Sequence, residues 1–333
     1  MLNPDISVCV CHHTGTLLFG FLESLFKSKD VTYEVIVITS NEELAMKGIK
    51  GCLVIHSNAM PAEKRNMGAR LSKGKYLAFF DDDVTIDDHC LYHLKEGLGP
   101  SVGMTYGRLW SMEHRNRFDE AGGYMTWTGF IWSRAGQNDI DNGQYSKDET
   151  ILAGKSASCM VKNDVFKKVC GFDEDFGILG EETDLSWRIW LSGKTVFYCP
   201  QATGFHAFNT KFKPKEKHYT NDRVFYNGTR NYITMLLKNL GREHLWIVPI
   251  HMAIWFGVAL AMIFTLKAHQ ATAILRGLCY IPKNWKKIML KRKRIQDGRQ
   301  TIESNLWKEI YRSPSGPYYW NRFRRYIVQQ LHG

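Results

Sequence analysis

The feature that most constrains this chain is a series of short, largely apolar runs in its first eighty residues, each separated from the next by a helical pattern. The runs are residues 6–10, 33–39 (YEVIVIT), 52–55 and 76–80 (YLAFF). Between them lie a helical apolar spacing over 17–26, a short helical stretch after Asn41 and a helix over about 62–73. Strands covered on both faces have near-continuous apolar sequences, and helices between them make right-handed crossovers. The pattern predicts an α/β fold with a doubly wound, mostly parallel sheet. Such sheets bind ligands beyond the carboxyl ends of their strands, which directs attention to His12-His13-Thr14-Gly15, Thr39-Ser40-Asn41 and Asp81-Asp82-Asp83.

Beyond residue 100 the pattern is mixed. Strands are expected at 102–109, 156–161 and 195–199, with helices at 164–170 and 183–191, and the polar stretch 136–148 is expected to form a loop. Without a repeat or low-complexity linker, residues 1–115 and 116–240 are expected to be two halves of one continuous domain. Residues 241–333 are set apart as a membrane-associating segment and basic tail.

Charge supports that division. Residues 267–333 hold 15 of the 44 Lys and Arg but only three acids, Asp297, Glu303 and Glu309, so the net +11 comes entirely from this tail. Just before it, residues 244–266 (HLWIVPIHMAIWFGVALAMIFTL) contain no Asp, Glu, Lys or Arg, and a bilayer core needs about 20 apolar residues. Basic residues directly after an apolar stretch suit an anionic membrane surface rather than nucleic acid. A single span would carry the basic tail out of the cytoplasm, against the positive-inside tendency, so an in-plane or re-entrant helix is expected. The eight cysteines include no C-x-x-C pair, which fits a reducing compartment. The start, MLNPDISVCVC, lacks a basic and apolar leader pattern and is expected to begin the fold.

Three groups of residues can carry chemistry. Asp81, Asp82 and Asp83 end a buried strand, where adjacent like charges call for a cation or solvent, and alternate residues Asp81 and Asp83 point to one side. The bland alternative is a solvated turn into a helix near Ile86, capped by Asp87. Glu181, Glu182 and Asp184 open a helix, where acids suit the dipole and a carboxylate beside a pocket can act as a general base. The dipole predicts an ionised Glu182 near neutral pH. His206 follows the strand at 195–199 and an expected turn at Pro200; a lone histidine is more often structural or exposed than a metal ligand. Asn66, Gly68 and Arg70 lie on the helix before the acidic strand, and Gly68 implies close approach of a neighbouring backbone or a ligand. Trp127, Trp132 and Trp187 have the rings for sugar stacking, but core packing is the expected role of each.

The ordered series NMGARLSKGKYLAFFDDD, AGG and KSASCMVKNDVFKKVCGFDEDFGILGEETDLSWRIWLSGKTVFYCPQATGFHAF resembles the inverting nucleotide-sugar glycosyltransferases of family 2, with the A-type fold. The resemblance covers about residues 5–240 and is nearest to rhamnosyltransferase-like members. It implies a metal, Mn²⁺ or Mg²⁺, on Asp81, Asp83 and His206, and a nucleotide-diphosphate sugar held by Asp81, Asp82, Asn66, Arg70 and Thr39. The base is implied at Glu182, where the family more often has Asp, with Asp184 and Glu181 as the other candidates. The first two strands end in CHHTG and ITSN, where the family often has a Thr-Tyr-Asn type sequence and an Asp.

The implied activity is hexosyl or deoxyhexosyl transfer to a cell-surface glycan or lipid-linked saccharide at the cytoplasmic face of a membrane. The rivals are a glycan-binding scaffold on the same fold and a nucleotidyltransferase. The latter normally has a basic phosphate loop after its first strand, whereas CHHTGTLLFGF has no Lys or Arg.

Overall fold

A computed structural model describes residues 4–13, 15–135, 139–207, 221–314, 316–317 and 319–320. Part of the loop expected at 136–148 and the last thirteen residues of the basic tail lie outside the described residues. The chain forms two compact units: residues 1–123 with 133–215, and residues 124–132 with 216–333.

The first unit begins as the apolar runs require. Strands β1 (Ile6–His12), β2 (Tyr33–Thr39), β3 (Cys52–His56) and β4 (Tyr76–Asp81) alternate with helices α1 (Leu17–Leu25), α2 (Glu42–Lys47) and α3 (Pro61–Leu71). β1 lies between β2 and β4, parallel to both, and β3 pairs parallel with β2. Leu18, Phe21 and Leu22 of α1 join Val8, Val10 and Phe80 in the core, with the Phe21 and Phe80 rings 5.4 Å apart. α2 starts as its sequence dictates, the Asn41 side chain accepting from the Leu44 amide at 3.0 Å.

Gly68 is explained by packing. A Cβ there would stand 3.0 Å from Cys9 Cβ and Sγ, so the glycine lets α3 approach β1.

After β4 come β5 (Val84–Ile86), α4 (Cys90–Glu96), β6 (Val102–Ser111), β7 (Phe118–Glu120), β10 (Glu149–Thr150), β11 (Ser158–Lys162), α5 (Asn163–Lys168), α6 (Glu181–Leu191) and β12 (Thr195–His206), with hairpin strands β8 (Gly123–Met125) and β9 (Ile131–Ser133) between β7 and β10. The main sheet runs β10-β12-β6-β11-β4-β1-β2-β3, with β5 on β12 and β7 on β6. β6 and β12 are parallel, and β11 fits antiparallel between β6 and β4.

Two local expectations are corrected. Residues 84–86 form a strand, not the start of a helix, because their backbone pairs with residues 204–206. Pro200 does not end its strand: residues 200–202 bulge out of β12, whose register on β6 passes from Cys199↔Gly107 to Thr203↔Arg108. A bulge accommodates a residue that cannot donate to the ladder.

The second unit contains α7 (Asn221–Asn239), α8 (Ile247–Phe264), α9 (Ala268–Lys283), α10 (Trp285–Asp297) and α11 (Glu303–Ile310), with residues 124–132 from the β8–β9 hairpin. α7 packs on α9, where a Cβ at Gly277 would lie 2.8 Å from Thr229 Cβ. Buried His251 accepts at Nε2 from Trp255 Nε1 (3.0 Å), so its Nδ1 donates to the Thr128 carbonyl at 2.8 Å. Arg292 of α10 donates to the Leu237 and Leu240 carbonyls at the end of α7, at 2.6 and 2.7 Å.

Candidate active site

The acidic strand end and His206 meet because β5 turns back along β12. His206 pairs with Val84, and the Ala207 amide donates to the Asp83 carbonyl at 2.9 Å. Asp83 Oδ1 then lies 3.2 Å from His206 Nε2, and ligand atoms of Asp81, Asp83 and His206 fall within 4.8 Å of one another. Two carboxylates and an imidazole are donors suited to Mn²⁺ or Mg²⁺.

The set is supported from behind. His206 Nδ1 lies 2.8 Å from Asp119 Oδ2 on β7, and Asp119 Oδ1 accepts from Lys155 at 2.7 Å. A carboxylate on the second ring nitrogen fixes the orientation of a metal-ligating histidine. Burial opposes the charged His206 ring, but Asp83 and Asp119 outweigh it and raise its pKa to about 9. Burial likewise opposes ionised Asp119, yet Lys155 and His206 hold it at about 2. Sequence reasoning missed Asp119, because one acid on a three-residue strand has no diagnostic spacing.

A second cluster adjoins the first through Arg65 of α3. This guanidinium is only 4% exposed; Nη2 donates to Asp81 at 2.9 Å and Nη1 to Glu181 at 2.8 Å. Glu182 follows at the start of α6, after Gly180 in the left-handed region at φ +86°. Its carboxyl is pushed well above the usual carboxylate range, by burial first and then by Glu181, with Arg65 pulling weakly the other way. The helix dipole predicts the opposite; desolvation and a neighbouring like charge override it. Arg65 also escaped the sequence reading, although a helix whose inward side carries Lys64, Arg65 and Asn66 instead of an apolar stripe was the available signal.

The other expected residues have varied placements. Asp184 is fully buried and accepts from Arg188 Nε at 2.8 Å. Asn66 clasps the loop before α6: Nδ2 donates to the Phe172 carbonyl and Glu174, and Oδ1 accepts from the Phe172 amide, all at 2.9 Å. Arg70 is exposed and lies 3.7 Å from Glu174. Thr39 is buried at the end of β2, its hydroxyl 2.7 Å from His12 Nδ1 and accepting from the Asn41 amide at 2.9 Å. His12 Nε2 is 3.8 Å from Asp82 Oδ2, and Lys64 Nζ donates to the His12 carbonyl and the Ser40 hydroxyl at 2.8 and 2.6 Å. The ends of β1, β2 and β4 thus form a continuous polar rim that includes His12 and Lys64, neither assigned from sequence. Trp187 is core, at 1% exposure.

The mostly parallel sheet, with acidic residues and a histidine at its strand ends, has the A-type glycosyltransferase fold, as its likeness to solved structures of that class shows. The chain belongs to glycosyl transferase family group 2, whose model matches residues 76–282; the glycosyl transferase family 2 model also matches residues 7–132. Among solved structures it is similar to GalNAc-T7 with UDP, GalNAc and Mn²⁺, with a TM-score of 0.56 and 14% identity over 86% of this chain. The chain spans 58% of the length of that structure. It is also similar to S. aureus TarS 1-349, with a TM-score of 0.50 and 15% identity over 91% of each chain. At such identities the likeness is one of fold. No curated protein sequence matches the chain.

Proposed function

We propose that the protein is a metal-dependent inverting glycosyltransferase that moves a hexosyl or deoxyhexosyl group from a nucleotide-diphosphate donor to a hydroxyl of a cell-surface glycan or lipid-linked saccharide. The observation that carries this reading is the convergence at the sheet's carboxyl ends: Asp81, Asp83 and His206 form one cluster, and Arg65 ties Asp81 to Glu181 beside Glu182. GalNAc-T7, similar in fold, has a structure with UDP, GalNAc and Mn²⁺, which supports a nucleotide-sugar donor and Mn²⁺ or Mg²⁺ here.

Asp81, Asp83 and His206 would hold the cation, with Asp119 fixing the histidine ring. When bound, the ion supplies positive charge opposite the leaving diphosphate. Glu182 takes the proton of the acceptor hydroxyl as that oxygen attacks the anomeric carbon; the bond from that carbon to the diphosphate oxygen breaks, and its electron pair leaves with the nucleoside diphosphate. A carboxylate whose pKa is raised above the ordinary glutamate range takes up a proton more strongly than an ordinary glutamate. Asp184 instead orients Arg188 within α6, and Arg188 ties the helix to the Val169 carbonyl. Asp82 and Thr39 belong to the rim that receives the nucleoside, while Asn66 and Arg70 shape the loop before α6. The apolar α8 and the basic residues after it support a location at the cytoplasmic face of a membrane.

The test is to screen nucleotide sugars with Mn²⁺, Mg²⁺ or chelator, measuring released nucleoside diphosphate and the product's anomeric configuration. Metal-dependent release from one donor class with inversion supports the reading. Retention would refute inversion, pyrophosphate release would favour a nucleotidyltransferase, and glycan binding without turnover would favour the scaffold.

A further inference from the structure

Helix α8 has a surface that water does not explain. An 18-residue window within 242–264 has mean hydropathy 2.2, and only 39% of its residues are buried. Its buried positions, Ile247, Val248, His251, Trp255, Val258, Ala259 and Met262, repeat every three or four residues along one side. The opposite side carries Trp246, Phe256, Leu260, Ile263 and Phe264, exposed by 41 to 84%, with Pro249, Ala253 and Gly257 between them. Every exposed position from Trp246 to Phe264 is therefore non-polar, along about 27 Å of an 18-residue helix. A surface helix in water ordinarily turns polar residues outward, and a continuous apolar face marks an interaction surface.

We propose that this face of α8 is a lipid-contact surface that lies in the plane of an anionic bilayer. The proposal rests on the reading of the enzyme as membrane-associated and assigns the residues that make the contact. Crossing the bilayer is disfavoured by the helices on which α8 packs. α7 carries Arg223, Arg230 and Lys238, and α9 carries Arg276 and Lys283, so a transmembrane α8 would draw cations into hydrocarbon. Lying flat buries the apolar face and leaves these groups at the interface or in protein.

The lipid class follows from charge. α10 contains Lys286, Lys287, Lys291, Arg292, Lys293 and Arg294 against one acid, Asp297, and also exposes Trp285 and Leu290. Basic residues interspersed with exposed aromatic and aliphatic side chains suit acidic headgroups above an acyl layer. A second copy of this chain would carry the same net charge of +11, which opposes self-association and favours an acidic lipid surface as the occupant.

Sedimentation of the full chain with vesicles, without sugar nucleotide, tests the proposal separately from the enzymatic reading. Binding to phosphatidylcholine mixed with phosphatidylglycerol should exceed binding to phosphatidylcholine alone and fall with salt. Phe256→Ser with Leu260→Ser, at exposed positions, should weaken binding at least roughly tenfold, because two large apolar side chains no longer leave water. Lys286→Gln with Lys287→Gln should remove part of the preference for the acidic lipid. Nucleoside diphosphate release from a soluble donor should match wild type in both double variants. Wild-type vesicle binding by the serine variant, or no binding to either lipid, overturns the proposal. So does a wild-type dimer that the serine substitutions dissociate without any effect on lipid binding; that result would assign the face to a second copy. If no donor is turned over, the vesicle result still decides the lipid-contact proposal.

Discussion

The first unit contains two buried acidic clusters in opposite electrostatic states. Around His206, carboxylates alternate with nitrogen groups: Asp83, the imidazole, Asp119 and Lys155 form a chain with contacts of 3.2, 2.8 and 2.7 Å, and a bound metal ion would take the place of the proton on Nε2. Its acid stays ionised despite burial. At the start of α6, Arg65 pairs with Glu181 while also engaging Asp81, and Glu182, beside Glu181, is driven toward its neutral form. A neighbouring cation therefore decides what a buried acid does. The compensated cluster is suited to hold a fixed charge, and the uncompensated one to take up and release a proton.

Removing a donor from the compensated cluster should have the largest effect. Asp83→Ala should abolish turnover and metal-dependent donor binding, measured as nucleoside diphosphate release and by calorimetry. Glu182→Gln should come next, reducing transfer by ~10² to 10⁴-fold while leaving donor affinity nearly unchanged. If Glu182→Gln transfers sugar at the wild-type rate while Asp184→Asn is inactive, the roles given to the two acids are reversed. Asp119→Asn should be milder, costing ~10 to 100-fold in metal affinity, because it loosens a ligand without removing it. Excess Mn²⁺ should then recover activity, and failure to recover would make Asp119 part of the general scaffold.

The smallest effect is on stability. A carboxyl whose pKa rises on folding binds its proton more tightly in the native state, so its contribution to stability is full below the unfolded pKa and is lost as pH rises through the folded one. Glu182→Gln does not titrate. Its melting temperature should therefore rise relative to wild type as pH increases across that window. A constant difference at all pH values would mean that Glu182 is not destabilised in its ionised form.

Much of this was legible in the sequence for specific reasons. β1 to β4 are covered on both faces, so their apolar runs stand out, and YEVIVIT marks β2 residue for residue. The triple aspartate and His206 could be named, but not why they meet. Their meeting depends on β5 pairing with β12 and on the bulge at Pro200, which are tertiary outcomes invisible to periodicity. The same holds for Arg65, whose two partners lie on β4 and α6, far apart in the chain. The ionisation of Glu182 was misjudged because dipole and capping rules are local, whereas burial is not. In α8 the apolar residues occur all round the helix, so only the packed structure separates its buried side from its exposed one.

The central claim is that the Asp81, Asp83 and His206 cluster binds a nucleotide diphosphate through a divalent cation. Calorimetric titration of a panel of nucleoside diphosphates into the wild-type chain and Asp83→Ala, each with Mn²⁺ and with chelator, tests it most directly. Saturable binding is expected for wild type with Mn²⁺ alone, with loss of that binding both under chelator and in Asp83→Ala. Equal nucleoside diphosphate binding in all four conditions would contradict it.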